Sequence, residues 1–251
     1  MRFARLRRPA GPVFAALEGA EALPYDRAPW DGGVPTGARV PWSEGELLCP
    51  VTPSKIVCVG RNYAQHAREL GSEVPKEPLL FFKPPSALLD PGGTIELPPQ
   101  SRRVDHEAEL AVVVGRRLRR AAADEAAAAV FGYTCAGDIT ARDLQKSDGQ
   151  WTRAKGFDTF CPVGPWIEAS LDLDAAEISC RVGGAERQRG RASEMVFGVP
   201  ALLAFASQVM TLLPGDVFLT GTPEGVGPLA SGDALEIEVS GVGTLRVRVG
   251  G

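Results

Sequence analysis

Short extended segments outnumber helical ones along this chain, and the helical ones do not alternate with them at regular intervals. That pattern disfavours a doubly wound parallel sheet and points to a sheet-dominated α+β body. Residues 1 to about 50 alternate short extended pieces, Arg2–Leu6 and Val13–Leu17, with Gly and Pro punctuation such as Trp30-Asp-Gly-Gly33. They predict a small β-rich N-terminal domain over 1–50. The Pro50–Pro53 stretch then leads into the apolar strand Lys55–Gly60, which opens a main domain over 51–251. A chain of 251 residues can bury a substantial core in such an arrangement.

Within the main domain, strands are expected at Leu79–Lys83, Val104–Val114 and Asp216–Thr220, with a hairpin of Leu235–Val239 and Thr244–Val249 joined through Gly241-Val-Gly243. Helices are expected over Ala121–Val130 and over Pro200–Met210, the latter with Pro in its first turn. A shorter one would be capped by Asn62, run through Tyr63, His66 and Glu69, and stop at Gly71.

Hydrophobic residues at 44% and charged residues at 23% are ordinary globular values, which sets aside a disordered or membrane chain. A formal charge of −4 gives no global attraction to nucleic acid or anionic lipid, and the Arg116–Arg120 cluster reads as a solvated strand end. The Arg-rich start, Met1–Arg8, is followed by Pro9-Ala-Gly-Pro12, which interrupts any apolar signal region. No apolar run approaches the ~20 residues of a membrane helix. The five cysteines, at 49, 58, 135, 161 and 180, are odd in number and widely spaced, so they read as buried thiols in a reducing cytoplasm.

The chemistry concentrates in Val104-Asp-His-Glu-Ala-Glu-Leu-Ala-Val-Val-Val114. Glu107 and Glu109 are two apart, so the pleat of a strand points both to one face, whereas His106 faces the other way and reads as structural. A solvated strand edge decorated with acids would carry the same pair. Asp138, however, follows a largely apolar stretch from Phe131 and is therefore a candidate to face inward. Three carboxylates with no cysteine or histidine cluster would make a hard, all-oxygen site suited to Mg²⁺, Mn²⁺ or Ca²⁺. Lys155 and Arg142 are the nearest candidates to balance the charge. His66 and Glu69, at i and i+3, share a helix face, so Glu69 can orient the imidazole. Taken alone, such a pair reads equally well as surface decoration. Lys83 reads either as a solubilising strand end or as a substrate contact. The Thr220–Gly227 loop lacks the Gly-Lys-Ser/Thr ending of a phosphate loop, and its amides with the Thr222 hydroxyl suit a carboxylate better.

Six segments occur in order: Gly60-Arg-Asn-Tyr-Ala-Gln-His66-Ala-Arg-Glu69, Phe81-Phe-Lys83-Pro, Asp105-His-Glu107-Ala-Glu109-Leu, Gly137-Asp138, Lys155-Gly-Phe-Asp and Leu219-Thr-Gly-Thr222-Pro-Glu-Gly-Val-Gly227. Over residues 52 to 250 the chain resembles the fumarylacetoacetate hydrolase family, in particular its short bacterial members akin to acylpyruvate hydrolases and 2-hydroxyhepta-2,4-diene-1,7-dioate isomerases. The resemblance implies a mixed β-sandwich or roll for the main domain. It implies Glu107, Glu109 and Asp138 as metal ligands and His66 with Glu69 as an acid/base pair on a lid. Lys155 would stand beside the metal, with substrate contacts at Arg61, Lys83, Arg142, Gln145 and Thr222.

It also implies a homodimer acting on a small 2-oxo acid. The expected reaction is hydrolysis of a C–C bond in an acylpyruvate, with Mg²⁺ (or Mn²⁺, Ca²⁺) gripping the 2-oxo acid head, an enolate collecting the electrons, and His66 activating water. The same site would serve isomerisation of 2-hydroxymuconate-type dicarboxylates of aromatic catabolism. Decarboxylation, of 5-oxopent-3-ene-1,2,5-tricarboxylate or of oxaloacetate, would use it equally. A non-catalytic module that binds metal and carboxylate is the reading from another class.

Overall fold

The computed structural model describes residues 1–251. Its backbone is a large sheet of twelve strands, packed against a second sheet of five and joined by a small one of three. The large sheet runs from Val40–Pro41 through Glu21–Pro24, Val13–Glu18, Arg2–Leu6, Cys161–Glu168, Val130–Gly137, Ala108–Val114, Val217–Leu219 and Ile56–Gly60 to an edge at Leu79–Lys83. Along this path only Val217–Leu219 and Ile56–Gly60 pair in parallel. The five-stranded sheet is ordered Ala185–Arg191, Glu177–Val182, Ala234–Val239, Gly243–Gly250, Thr94–Glu96. This is the sheet-dominated α+β architecture that the strand count predicts.

The central strand Ala108–Val114 explains its own composition. All of its residues are buried, because both faces of the sheet are covered there, and a strand covered on both faces reads as a continuous apolar run. Leu110 joins Cys135, Ile178, Ile237 and Leu245 between the two sheets. Farther along that same face Val112 and Val114 pack under the helix Val199–Val209, against Leu202, Leu203 and Ala206, while on the opposite face Ala111 and Val113 join Val163 and Ile167. Residues 1–48 extend the large sheet, since Arg2 and Phe3 pair with Glu168 and Ile167 of the Cys161–Glu168 strand. Phe3 also meets the rings of Tyr25 and Phe131, at 5.9 and 5.1 Å. No helix is long and apolar enough to cross a membrane.

Three local expectations are corrected. The Ala-rich helix is confined to Ala123–Ala127, because Val130 pairs with Val114 and the Ala129 carbonyl accepts from Gly115 N–H. Asn62 caps nothing; the helix is Ala64–Glu69, with Tyr63 at its N-cap. The Asn62 amide instead donates to the carbonyls of Phe197 and Thr220 and accepts from Phe197 N–H, three backbone groups that lie outside any strand pairing there. The stretch Val104–Val114 is two strands, Val104–His106 and Ala108–Val114, interrupted at Glu107.

The parallel pair beneath the site is pinned at its start by Asp216. This carboxylate, 1% exposed, accepts from the N–H groups of Ser54, Lys55 and Leu213, from the Ser54 hydroxyl, and from the Lys55 ammonium. Removing it would strand these donors, so Asp216→Ala is expected to lower unfolding stability by about 3 kcal/mol, read by chemical denaturation. A loss under about 1 kcal/mol would show that the pin is dispensable.

Candidate functional site

The interruption at Glu107 is where the site begins. Its carbonyl accepts Asp138 N–H at 2.9 Å, which ties the end of the Val130–Gly137 strand to the start of Ala108–Val114. With Glu109 on the same face, one carboxylate oxygen from each of Glu107, Glu109 and Asp138 lies within 4.8 Å of the others. All three are buried, at 4%, 1% and 1% exposure.

Like charges this close repel by roughly 4 kcal/mol per pair at an effective dielectric of ~20, so the fold brings cations to them. Lys155, from the short helix Thr152–Lys155, donates to Glu107 Oε2 at 2.9 Å and Asp138 Oδ2 at 2.5 Å. Its ammonium lies 5.1 Å from the centre of the Phe81 ring. Arg142 opens the helix Arg142–Asp148 and spans Glu107 Oε1 at 2.6 Å, Asp105 Oδ2 at 2.9 Å and Gln145 Oε1 at 2.7 Å. Lys83 donates to Asp138 Oδ1 at 2.7 Å and to the Ile139 carbonyl at 3.1 Å.

The electrostatic outcome is unequal. Burial drives Glu107 upward, but Lys155 and Arg142 outweigh it and hold its carboxyl well below the ordinary carboxylate range. Burial likewise opposes the charge of Lys155, yet Asp138 and Glu107 raise it above an ordinary lysine. Glu109 receives no cation; its partner is Gly221 N–H at 2.6 Å. Burial, with the charges of Asp138 and Glu107, pushes it well above the ordinary range. A buried three-carboxylate group with one member uncompensated has the donor chemistry of a divalent-cation site.

These groups line a cleft of about 250 Å³, whose walls include Val59, Arg61, His66, Leu70, Phe81, Gln145, Lys146, Trp151 and Thr222. On the lid side, His66 Nδ1 is 3.1 Å from Glu69 Oε2. The second Glu69 oxygen accepts Gly225 N–H at 3.0 Å. Gly225 itself has φ +95°, and a Cβ there would lie 2.1 Å from the Arg187 carbonyl, so only glycine fits.

Of the eleven residues named from sequence, nine line the cleft: Arg61, His66, Glu107, Glu109, Asp138, Arg142, Gln145, Lys155 and Thr222. Glu69 stands behind His66. Lys83 is not among the lining residues: its side chain has no exposure and its ammonium pairs with Asp138, where it balances charge. Thr222 lines the cleft. Its hydroxyl donates to the Ala108 carbonyl at 2.8 Å, so the proton offered above to a ligand carboxylate is already used. His106 faces away, with Nδ1 2.9 Å from Gln188 Oε1, and burial lowers its pKa. The cysteines are all buried and unpaired, and burial raises Cys49, Cys135 and Cys180 to about 12, which excludes a thiolate there.

Sequence reasoning missed Trp151, Asp105 and Gln188. Trp151 packs edge-on to Phe81 at 5.2 Å and forms a cleft wall. Asp105 neutralises the second edge of Arg142. An acid next to a paired-carboxylate motif was a usable signal for Asp105; Gln188 had none.

Comparison with known proteins shows what the chain as a whole is similar to. The family described as fumarylacetoacetate hydrolase, C-terminal, matches residues 55–250, and the Rv2993c-like N-terminal family matches 1–50. The mitochondrial oxaloacetate tautomerase FAHD1 of Arabidopsis thaliana is 46% identical over 78% of this chain and 91% of its own. Among solved structures, 5-carboxymethyl-2-hydroxymuconate delta-isomerase from Mycobacterium smegmatis is 43% identical, with TM-score 0.92 over 100% of this chain and 99% of that one. The 2-hydroxyhepta-2,4-diene-1,7-dioate isomerase from Mycobacterium marinum is also 43% identical, with TM-score 0.91 over 100% and 98%.

The uncompensated charge at Glu109 sets an expectation. Mn²⁺ at about 100 times its dissociation constant is expected to stabilise the chain by ~2.7 kcal/mol, or about 5–10 °C in Tm, read by thermal scan. Glu109→Gln should lose most of that rise while its metal-free Tm stays at or above that of the unaltered chain. A metal-free Tm well below it would contradict the repulsion assigned to this carboxylate.

Proposed function

The chain belongs to the fumarylacetoacetate hydrolase family, and from that premise we propose that it is a tautomerase or isomerase that moves a proton beside the 2-oxo group of a small dicarboxylic 2-oxo acid. Glu107, Glu109 and Asp138 would hold a divalent cation, Mg²⁺ or Mn²⁺. Bound there, the ion supplies positive charge to the carboxylate and oxo oxygen of the ligand.

The observation that carries the reading is that His66, the one imidazole in the cleft, faces the carboxylate group while Glu69 engages its Nδ1. Glu69 as acceptor selects the Nδ1–H tautomer, which leaves the Nε2 lone pair to take a proton from the carbon next to the oxo group and to return it elsewhere on the ligand. Lys155 stays an ammonium because Glu107 and Asp138 hold its charge. In the proposed reaction it would donate to the oxygen on which enolate charge develops. Arg61 carries no ion pair and stands on the cleft wall, where a second ligand carboxylate would find it. Phe81 and Trp151 limit water on that side.

Acylpyruvate hydrolysis, the first reading of the sequence, would use the same enolate but needs a water placed at a second carbonyl. The names of the similar proteins, one an oxaloacetate tautomerase and two dicarboxylate isomerases, support proton transfer in preference.

With Mg²⁺ or Mn²⁺, enol oxaloacetate and a 2-hydroxymuconate-type dicarboxylate should lose enol absorbance, and solvent deuterium should enter the carbon next to the oxo group without C–C cleavage. Chelator should abolish both. His66→Asn is expected to lower kcat about 10²- to 10⁴-fold while leaving Mn²⁺ binding intact. Cleavage of acylpyruvates without acceleration of either proton transfer would refute the proposal in favour of hydrolysis.

A further inference from the structure

Ala108 lies between Glu107 and Glu109, so the orientation of its two peptide groups aims both carboxylates. On one side residue 108 is paired with Gly137. On the other there is no strand, because Val217–Leu219 pairs only with Ala111–Val113. Side chains continue the ladder. The Thr220 hydroxyl donates to the Leu110 carbonyl, and the Thr222 hydroxyl to the Ala108 carbonyl, each at 2.8 Å. The Ala108 N–H is taken by Gln188 Oε1 at 3.0 Å.

Gln188 comes from the other sheet, on the Ala185–Arg191 strand, where most neighbours are exposed while it is 1% exposed. Its amide is fixed by its surroundings. The Pro223 carbonyl can only accept, so the Nε2 side faces it at 2.8 Å; Ala108 N–H can only donate, so Oε1 faces that. The second Nε2 hydrogen then goes to Thr222 Oγ1 at 2.7 Å, which obliges the Thr222 hydroxyl to point its own proton at Ala108. The second lone pair of Oε1 takes His106 Nδ1 at 2.9 Å. All four hydrogen-bonding positions of the amide are used.

We propose that Gln188 is a positioning residue for the metal site. Through Ala108 and Thr222 it sets the direction of the Glu107/Glu109 pair, and through Pro223 it seats the turn whose Gly225 N–H holds Glu69. This rests on the reading of Glu107, Glu109 and Asp138 as the group that holds the cation. Residues that orient metal ligands typically account for about 10- to 100-fold in affinity, and partners in one network lose it together.

The test is a Mn²⁺ titration of the full chain by calorimetry, with metal-free Tm measured alongside. Gln188→Leu and Thr222→Val should each weaken Mn²⁺ about tenfold or more, and the double variant should be no worse than the weaker single one. Thr222→Ser, which keeps the hydroxyl, should stay within about twofold of the unaltered chain. That pair alone decides the matter should Gln188→Leu fail to fold. Unchanged affinity in Thr222→Val, a serine variant as weak as the valine one, or additive losses would each overturn the assignment while the unaltered chain still binds. Absence of Mn²⁺ binding by the unaltered chain would overturn the metal-site reading and this one with it.

Discussion

Three carboxylates held within 4.8 Å of one another in the interior are the constraint that the rest of this molecule answers. Left alone they would unfold the centre of the sheet or take up protons. The compensating cations come from three separate places: Lys83 from the edge strand, Arg142 and Lys155 from two short helices between Asp138 and the Cys161–Glu168 strand. Each is carried by its own local element, and they converge only in the assembled fold. Compensation is also uneven. Glu107 and Asp138 each touch two cations, whereas Glu109 touches only an amide. Three cations meet three carboxylates that all line the cleft, but their distribution leaves Glu109 with an uncharged partner.

How much of this was legible in the sequence depended on the range of each interaction. Glu107 and Glu109 obey a local rule, the period of two along a strand, and the rule survived even though the strand breaks at Glu107, because the backbone tie to Asp138 keeps the extended direction. His66 and Glu69 obey another, the i,i+3 spacing, within a helix of only six residues. Lys83 could not be assigned that way. At the end of Leu-Leu-Phe-Phe-Lys it has the pattern of a solubilising strand terminus, and only the presence of Asp138 beneath it, 55 residues away in the chain, turns it inward. Asn62 was misread for the same reason. Its capping chemistry is real, but buried backbone groups more than 130 residues distant compete for it and win.

Gln188 marks the limit of local reading. Ala-Glu-Arg-Gln-Arg-Gly-Arg is a polar edge strand by every pattern rule, and five of its seven residues are exposed. The glutamine is buried because the sandwich closes over the interruption at Glu107, where a regular strand neighbour is absent and the peptide groups of Ala108 still require partners. The demand for buried backbone hydrogen bonds therefore selected a side chain from the opposite sheet, and no property of residues 185–191 in isolation announces it.

The carboxylate platform and the lid have different physical standing, and that difference bears on chemistry. The platform is built on long strands with their cores on both faces. The helix Ala64–Glu69, the lid of the proposed reading, is too short at six residues to be stable in isolation; its position is set by contacts such as Glu69 to Gly225. In the proposed reaction, enolate stabilisation would belong to the platform and be indifferent to what lies beyond the 2-oxo acid head. Proton delivery would belong to His66, whose part of the cleft wall also carries Arg61, Leu70 and Ser72. On the proposed reading, one carboxylate platform would serve tautomerisation, double-bond migration or bond cleavage alike, and the choice among them would fall to the residues around His66.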